Sequence, residues 1–300
     1  MTDFLEVDDF EPAQLARVLE RAEAWKAAPS RVERVLEGGV VALIFEKPSA
    51  RTRTSTEAAV VGLGGHPVYI RPEEVGFDTR ETVEDVARTL ECYCALLAGR
   101  VFLHRTLERM AEAATVPVLN LLSDRAHPCQ AVADLLTLRE HLGALDGRRM
   151  VFVGDGNNVA ASLAFAAALT GLELVVASPP GYELDDDVVD RARNLGGVVD
   201  VTNDPLEAVK NADAVYTDVW TSMGDEEQAE VRRQAFASYQ VDAELMAATG
   251  NDALFLHCLP AHRGEEVTAD VIDGPRSVVW LQAANRMHAA RALIPELVER

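Results

Sequence analysis

The sequence predicts an α/β fold of two doubly wound parallel-sheet domains with a cleft between them. Three observations carry this expectation. Its 300 residues are about twice what one domain usually holds, given roughly 150 residues per domain. Short apolar runs alternate with helical patterns almost throughout, as in parallel sheets whose strands are joined by crossover helices. One alternating series closes with a long helical stretch, Pro128 to Leu142, ended by Gly143, and a second series starts at Met150. The boundary is placed within Gly143–Arg149. Residues 1–143 then form the first domain and 144–284 the second, with a last helix, 285–300, packing back on the first.

The elements follow in order. A first helix covers about Glu11 to Ala28. Apolar runs at Val40–Phe45, Pro67–Ile70, Ala95–Ala98 and Pro117–Leu122 read as buried strands, separated by helical patterns at Thr52–Leu63, Val83–Tyr93 and Thr106–Ala114. In the second series, strands are expected at Met150–Val153, Glu173–Ala177, Val198–Val201, Ala214–Val219, Leu254–Leu256 and Val278–Leu281, and a final helix from Asn285 to Glu299. The longest apolar stretch, Val159 to Leu169, is alanine-rich and short of the ~18 residues of a membrane span, so it reads as a buried helix.

Composition removes several classes of function. A formal net charge of -21 and a pI near 4.7 argue against nucleic acid, since no basic surface offsets phosphate repulsion. The opening residues MTDFLEVDDFEP are acidic and lack the apolar segment of a signal peptide. Cys92, Cys94, Cys129 and Cys258 fit a reducing compartment, so a cytoplasmic protein without a membrane anchor is expected. The C-x-C spacing of Cys92 and Cys94 has no second pair, and no metal site is expected from it.

Five polar segments stand where ligands bind in open parallel sheets, beyond the carboxyl ends of strands. In FEKPSARTRTSTE, from Phe45 to Glu57, Arg51 and Arg53 sit among five hydroxyl residues just where the pattern turns helical. Ser49 is placed to cap that helix, and a capped helix start with added arginine suits a phosphate. In AHPCQAVADLL, an N1 proline at Pro128 puts His127 at the N-cap and Gln130 in the first turn. VFVGDGNNVAASL has the strand–GxGxx–helix form of a dinucleotide site, but the next strand, LVVASPP, lacks the acidic residue that would hold a ribose. Asn157 and Asn158 there suit a carboxylate instead. In TDVWTSMGDEEQ, Asp218 ends a strand beside a polar loop, suited to a zwitterion. In LFLHCLPAHRGEEV, His257 and Cys258 are adjacent on a strand and point to opposite faces, so the histidine is badly placed to activate the thiol.

Taken together, these segments resemble the aspartate/ornithine carbamoyltransferase family, on its ornithine side, over nearly the whole chain. SARTR is similar to the family's STRTR loop, HPCQ at 127–130 to its HPxQ motif, DVWTSMG at 218–224 to its D-x-W-x-S-M-G loop, and HCLPAHRG at 257–264 to the ornithine hallmark; NR at 285–286 matches its C-terminal arginine. The resemblance implies carbamoyl transfer from carbamoyl phosphate to the δ-amine of L-ornithine, giving L-citrulline and phosphate without cofactor or metal, in a homotrimer or a multiple of trimers. By the same resemblance Ser49, Arg51 and Thr52, with the backbone N–H groups around Ala50, bind the phosphate. Arg100 bridges phosphate and carbonyl oxygen, and His127, Arg100 and Thr52 polarise that carbonyl. Gln130 and the backbone carbonyls of Cys258 and Leu259 hold the NH2 group, and Arg286 closes the pocket. Asn158 and the Met223 backbone take the ornithine carboxylate, Asp218 and Ser222 its α-amino group, and Cys258 lies near the side-chain amine.

The sequence departs from the family pattern on the carbamoyl phosphate side. Ala50 replaces a usual threonine, and Gly76-Phe77-Asp78 falls where the family has Q-L-G, whose glutamine reaches a neighbouring subunit's phosphate site. Cys92, Ala95, Leu281 and Ala284 stand where charged residues are common. These changes leave open a paralogue acting on a related diamino acid, or a non-catalytic carbamoyltransferase-like binding protein.

Overall fold

The computed structural model describes residues 3–221, 228–250 and 252–299. The chain divides into two compact units, Met1–Leu136 with Ala284–Arg300, and Thr137–Ala283, the division falling inside helix Pro128–Leu142.

The first unit holds a four-stranded parallel sheet of β1 (Val40–Phe45), β2 (His66–Ile70), β3 (Leu96–Arg100) and β4 (Val118–Leu122), in the order β2-β1-β3-β4. β1 and β3 are covered on both faces, which is why they read as unbroken apolar runs. β2 is an edge strand, half exposed, and tolerates Pro67 because an edge residue need not donate to a ladder. Phe4 pairs alongside Leu119 on the far side of β4. Ala42, Ile44, Val83, Val86, Leu97, Leu107, Met110 and Val118 pack into one core on one side of this sheet.

The second unit holds β5 (Arg149–Val153), β6 (Glu173–Ala177), β7 (Val198–Thr202), β8 (Ala214–Thr217) and β9 (Leu254–His257), all parallel, in the order β7-β6-β5-β8-β9. Helix Asn158–Thr170 is buried over nine consecutive residues, Val159 to Ala167, and its alanines let it lie close to the sheet. No helix among the described residues is long and apolar enough to cross a membrane.

One expected strand is absent. The run Val278–Leu281 opens helix Val279–Val298 instead of forming a sixth strand. A single bridge between Phe255 and Ser277 prolongs the sheet, and the Gln282 N–H then closes a helical bond onto the Val278 carbonyl at 2.9 Å. Four apolar residues do not define a period. Here Val279 is buried and Trp280 is 64% exposed, the contrast of a helix with one face outward.

In both sheets the chain runs outward on one side of the first strand and returns to its other side. That reversal leaves a crevice at the carboxyl ends of β1 and β3, and another at those of β5 and β8.

Candidate active site

The first crevice gathers Ser49, Thr52, Arg100, His127, Gln130 and Arg286, all singled out in the sequence. Helix Ala50–Gly62 starts directly beyond β1, and Ser49 is its N-cap, with the Thr52 N–H donating to Ser49 Oγ at 3.2 Å. The first-turn N–H groups of Ala50 and Arg51 have no acceptor within the helix by construction, and both residues are exposed. Thr52 is buried, and its hydroxyl is where the side chains converge. It accepts from Arg286 Nη2 at 2.6 Å, from Arg100 Nη1 at 3.4 Å and from Ser49 Oγ at 3.1 Å.

Arg100 is the last residue of β3 and is buried. Its carbonyl receives the Glu46 N–H at 2.8 Å, fastening the loop after β1 to the end of β3. The register with β4 slips by one residue between Gly99 and Arg100, a bulge that re-aims a side chain at a sheet end.

His127 precedes helix Pro128–Leu142, and its carbonyl accepts the Ala131 N–H at 3.2 Å. Burial, then the positive charges of Arg286 and Arg100, hold its imidazole well below its ordinary value, so it stays neutral and keeps one N–H to donate. Gln130 Oε1 accepts from Arg286 Nη1 at 2.9 Å, and its Nε2 donates to Asp134 Oδ1 at 2.7 Å. In a chain of net charge -21, two buried guanidinium groups thus meet on one hydroxyl beside a neutral histidine. Such a place takes an anion and stabilises charge growing on an oxygen.

Arg53, grouped with Arg51 by the sequence, has other partners. It pairs with Glu57 at 2.8 Å and lies over the Tyr69 ring, 3.8 Å from its centroid. Asp78 brings no unbalanced charge, because Arg109 binds both of its oxygens, at 2.6 and 3.0 Å, and both of Glu84's at 2.7 Å. The Arg109 hydrogen bonds hold the Glu84 carboxyl down at about 2.

The second crevice holds a different set. Asn157 caps helix Asn158–Thr170 by accepting the Val159 and Ala160 N–H groups, and its Nδ2 donates to Asp218 Oδ2 at 2.9 Å. Asp218 follows β8, and Cys258, just past β9, donates its thiol to Asp218 Oδ1 at 3.0 Å. Asn158 is the first helical residue and half-buried. Ser222 and Met223 lie outside the described residues.

His257 and Cys258 serve separate networks. His257 Nδ1 accepts the Leu259 N–H at 2.9 Å, which places the ring proton on Nε2, 3.1 Å from Glu266 Oε1. Leu259 takes a left-handed backbone, φ 60°, before a cis bond to Pro260. Asp218, His257 and Cys258 form one group of potential metal ligands among the described residues, and His262, Glu265 and Glu266 another.

The glycine-rich turn is explained without a dinucleotide. A Cβ on Gly156 would stand 2.3 Å from the Leu184 nitrogen and 2.4 Å from the Glu183 carbonyl carbon. The chain's own segment occupies the close approach that a pyrophosphate would need.

Three contributors escaped the sequence reading. Asp134 was detectable from its i,i+4 spacing to Gln130 on one helix face. The Asn157–Asp218 bond spans 61 residues and left no local signal. The same holds for buried Arg232, which bonds Asp155 and the Trp220 carbonyl while stacking over Tyr182 and Phe236 at 4.9 and 5.4 Å.

Two family models match the chain, one over each part. Residues 2–140 match the family model described as aspartate/ornithine carbamoyltransferase, carbamoyl-P binding domain, and residues 146–297 match the Asp/Orn binding domain of the same description. The chain is 49% identical over 300 residues to ornithine carbamoyltransferase of Acidothermus cellulolyticus, covering 99% of this chain and 96% of that one. It is 47% identical over 298 residues to the anabolic ornithine carbamoyltransferase of Pyrococcus furiosus, covering 97% and 95%. The solved ornithine carbamoyltransferase from Pyrococcus furiosus superposes with a TM-score of 0.94 at 46% identity, over 99% of this chain and 96% of that one.

Proposed function

The chain belongs to the aspartate/ornithine carbamoyltransferase family, and from that premise we propose that it transfers the carbamoyl group of carbamoyl phosphate to the δ-amine of L-ornithine, giving L-citrulline and phosphate. The observation that carries the reading is the convergence of Arg100 and Arg286 on Thr52 at a capped helix start.

On this reading the phosphate of the donor lies against the N–H groups of Ala50 and Arg51, the Ser49 and Thr52 hydroxyls and the Arg51 side chain. Arg100, Thr52 and neutral His127 direct positive charge or N–H and O–H donors at the carbonyl oxygen. Gln130, with the Cys258 and Leu259 carbonyls, accepts from the carbamoyl NH2. Asp218 and Ser222 take the α-ammonium of ornithine, Asn158 and the Met223 backbone its carboxylate, and Cys258 lies near the δ-amine.

The δ-amine attacks the carbonyl carbon after losing a proton. Electrons move onto the carbonyl oxygen, then return as the C–O bond to phosphate breaks. Preorganised donors around that oxygen are the largest contribution such a site makes, and holding the two reactants in line supplies much of the remainder. The reaction rate rises with pH as the attacking amine deprotonates.

The same reading places the protein in the cytoplasm, as a homotrimer or a multiple of trimers, in arginine biosynthesis. The name of the anabolic Pyrococcus relative supports the biosynthetic direction. A citrulline-formation assay with ornithine, lysine, 2,4-diaminobutyrate and putrescine tests the proposal. Turnover is expected with ornithine at least tenfold above the others; no turnover at saturating carbamoyl phosphate and ornithine would overturn it.

A further inference from the structure

Gln130 and Asp134 stand four residues apart on helix Pro128–Leu142, both buried, with exposures of 1% and 0%. A glutamine amide has two ends of nearly equal shape and opposite hydrogen-bonding sense. Here each end meets a group that accepts only one choice. The NH2 end donates to the Asp134 carboxylate at 2.7 Å, and the oxygen end accepts from Arg286 at 2.9 Å, whose other nitrogen holds Thr52 at 2.6 Å. Turned over, the amide would set oxygen against carboxylate and NH2 against guanidinium. Two hydrogen bonds would become two repulsions.

We infer that Asp134 is a positioning residue that gives the site its preference for a carbamoyl over a methyl acyl group, by fixing the Gln130 oxygen toward Arg286. That oxygen has two lone pairs, and Arg286 engages one. The second then accepts an N–H from the carbamoyl group. An acyl phosphate with CH3 at that position offers no proton, and without Asp134 only Arg286 holds the Gln130 amide against rotation, so its NH2 end meets the donor more often. Asp134 touches no substrate and acts only through the amide. The inference rests on the carbamoyl phosphate reading given above.

The test compares three ligands of the full-length enzyme: the KM for carbamoyl phosphate, and inhibition constants for acetyl phosphate and inorganic phosphate. In Asp134→Ala the KM for carbamoyl phosphate should rise about tenfold, the worth of one well-formed hydrogen bond. The two inhibition constants should stay within twofold of wild type. Asp134→Asn, which still offers an oxygen to the amide, should restore all three. If Asp134→Ala does not fold, Asp134→Ser carries the same readout, its oxygen being one atom too short to reach the amide. An equal change for all three ligands, or none for carbamoyl phosphate, would overturn the role of Asp134. So would an Asn variant as impaired as the Ala variant. A wild-type enzyme that forms no citrulline would instead overturn the carbamoyl phosphate reading, and this inference with it.

Discussion

Replacing Arg286 by lysine keeps the charge and removes the fork. In the structure one nitrogen of the guanidinium serves Gln130 Oε1 at 2.9 Å and another serves Thr52 Oγ1 at 2.6 Å. A lysine ammonium is a single point on a flexible stem and cannot reproduce both bonds with the same planar spacing. One charge-assisted hydrogen bond is therefore lost at a buried site, worth about 1.5–3 kcal/mol. Taking about 2 kcal/mol, the KM for carbamoyl phosphate should rise roughly 30-fold, at 1.4 kcal/mol per factor of ten. The first unit, about 150 residues, should melt about 4–8 °C lower, at 2–4 °C per kcal/mol for a domain of that size. Ornithine binding, assigned to Asp218 and its neighbours, should stay within twofold when carbamoyl phosphate is saturating. Steady-state citrulline formation with each substrate varied in turn, beside a thermal melt, reads all of this. A carbamoyl phosphate KM within twofold of wild type would show that the fork does not hold the site together.

Other perturbations separate the two crevices and the fold that carries them. Asp218→Asn places an amide where Asn157 and Cys258 both donate. The ornithine KM should rise at least about 30-fold, on loss of a charge-assisted contact, while that for carbamoyl phosphate holds; an equal rise in both would contradict the assignment. Gly156→Ala drives a methyl to 2.3 Å from the Leu184 nitrogen, and denaturant unfolding should show a loss of roughly 1–3 kcal/mol from overpacking. An unchanged midpoint would mean the turn yields easily. For pH, His127 is held neutral in the fold below its ordinary value, and burial lowers His104 in the same sense. Below about pH 6.5 the unfolded chain takes up protons that the folded chain refuses, so stability falls as pH falls. His127→Gln should flatten that part of a stability–pH curve, and an identical curve would refute it.

Much of the frame was legible because parallel strands buried on both faces leave unbroken apolar runs. Val40–Phe45, Glu173–Ala177 and helix Pro128–Leu142 stand in the structure with the bounds the sequence suggested. The helix starts were equally readable, since Ser49 and Pro128 are local signals with local causes. The failures have physical reasons too. Val278–Leu281 is too short to show a period, and Ser277, just before it, bridges to the sheet before the chain turns helical. Arg53 carried the same chemistry as Arg51 on paper, but Glu57 one turn later and Tyr69 on the neighbouring strand claim it. The charge of Asp78 is met by Arg109, 31 residues away. Partners brought together only by the fold leave no trace in a window of sequence.

Arg286 meets Gln130 across 156 residues of chain and Thr52 across 234. During synthesis at roughly 5–20 residues per second, the strands and capped helix of the first sheet therefore exist for about 8–30 s before the residue that joins them is made. A ribosome-bound chain can build the capped helix start early, yet Thr52 acquires its second arginine only after the whole intervening unit has been translated. The meeting of two guanidinium groups on Thr52 thus marks completion of the chain through residue 286, and a chain stopped short of it would carry the sheet with one of the two arginines.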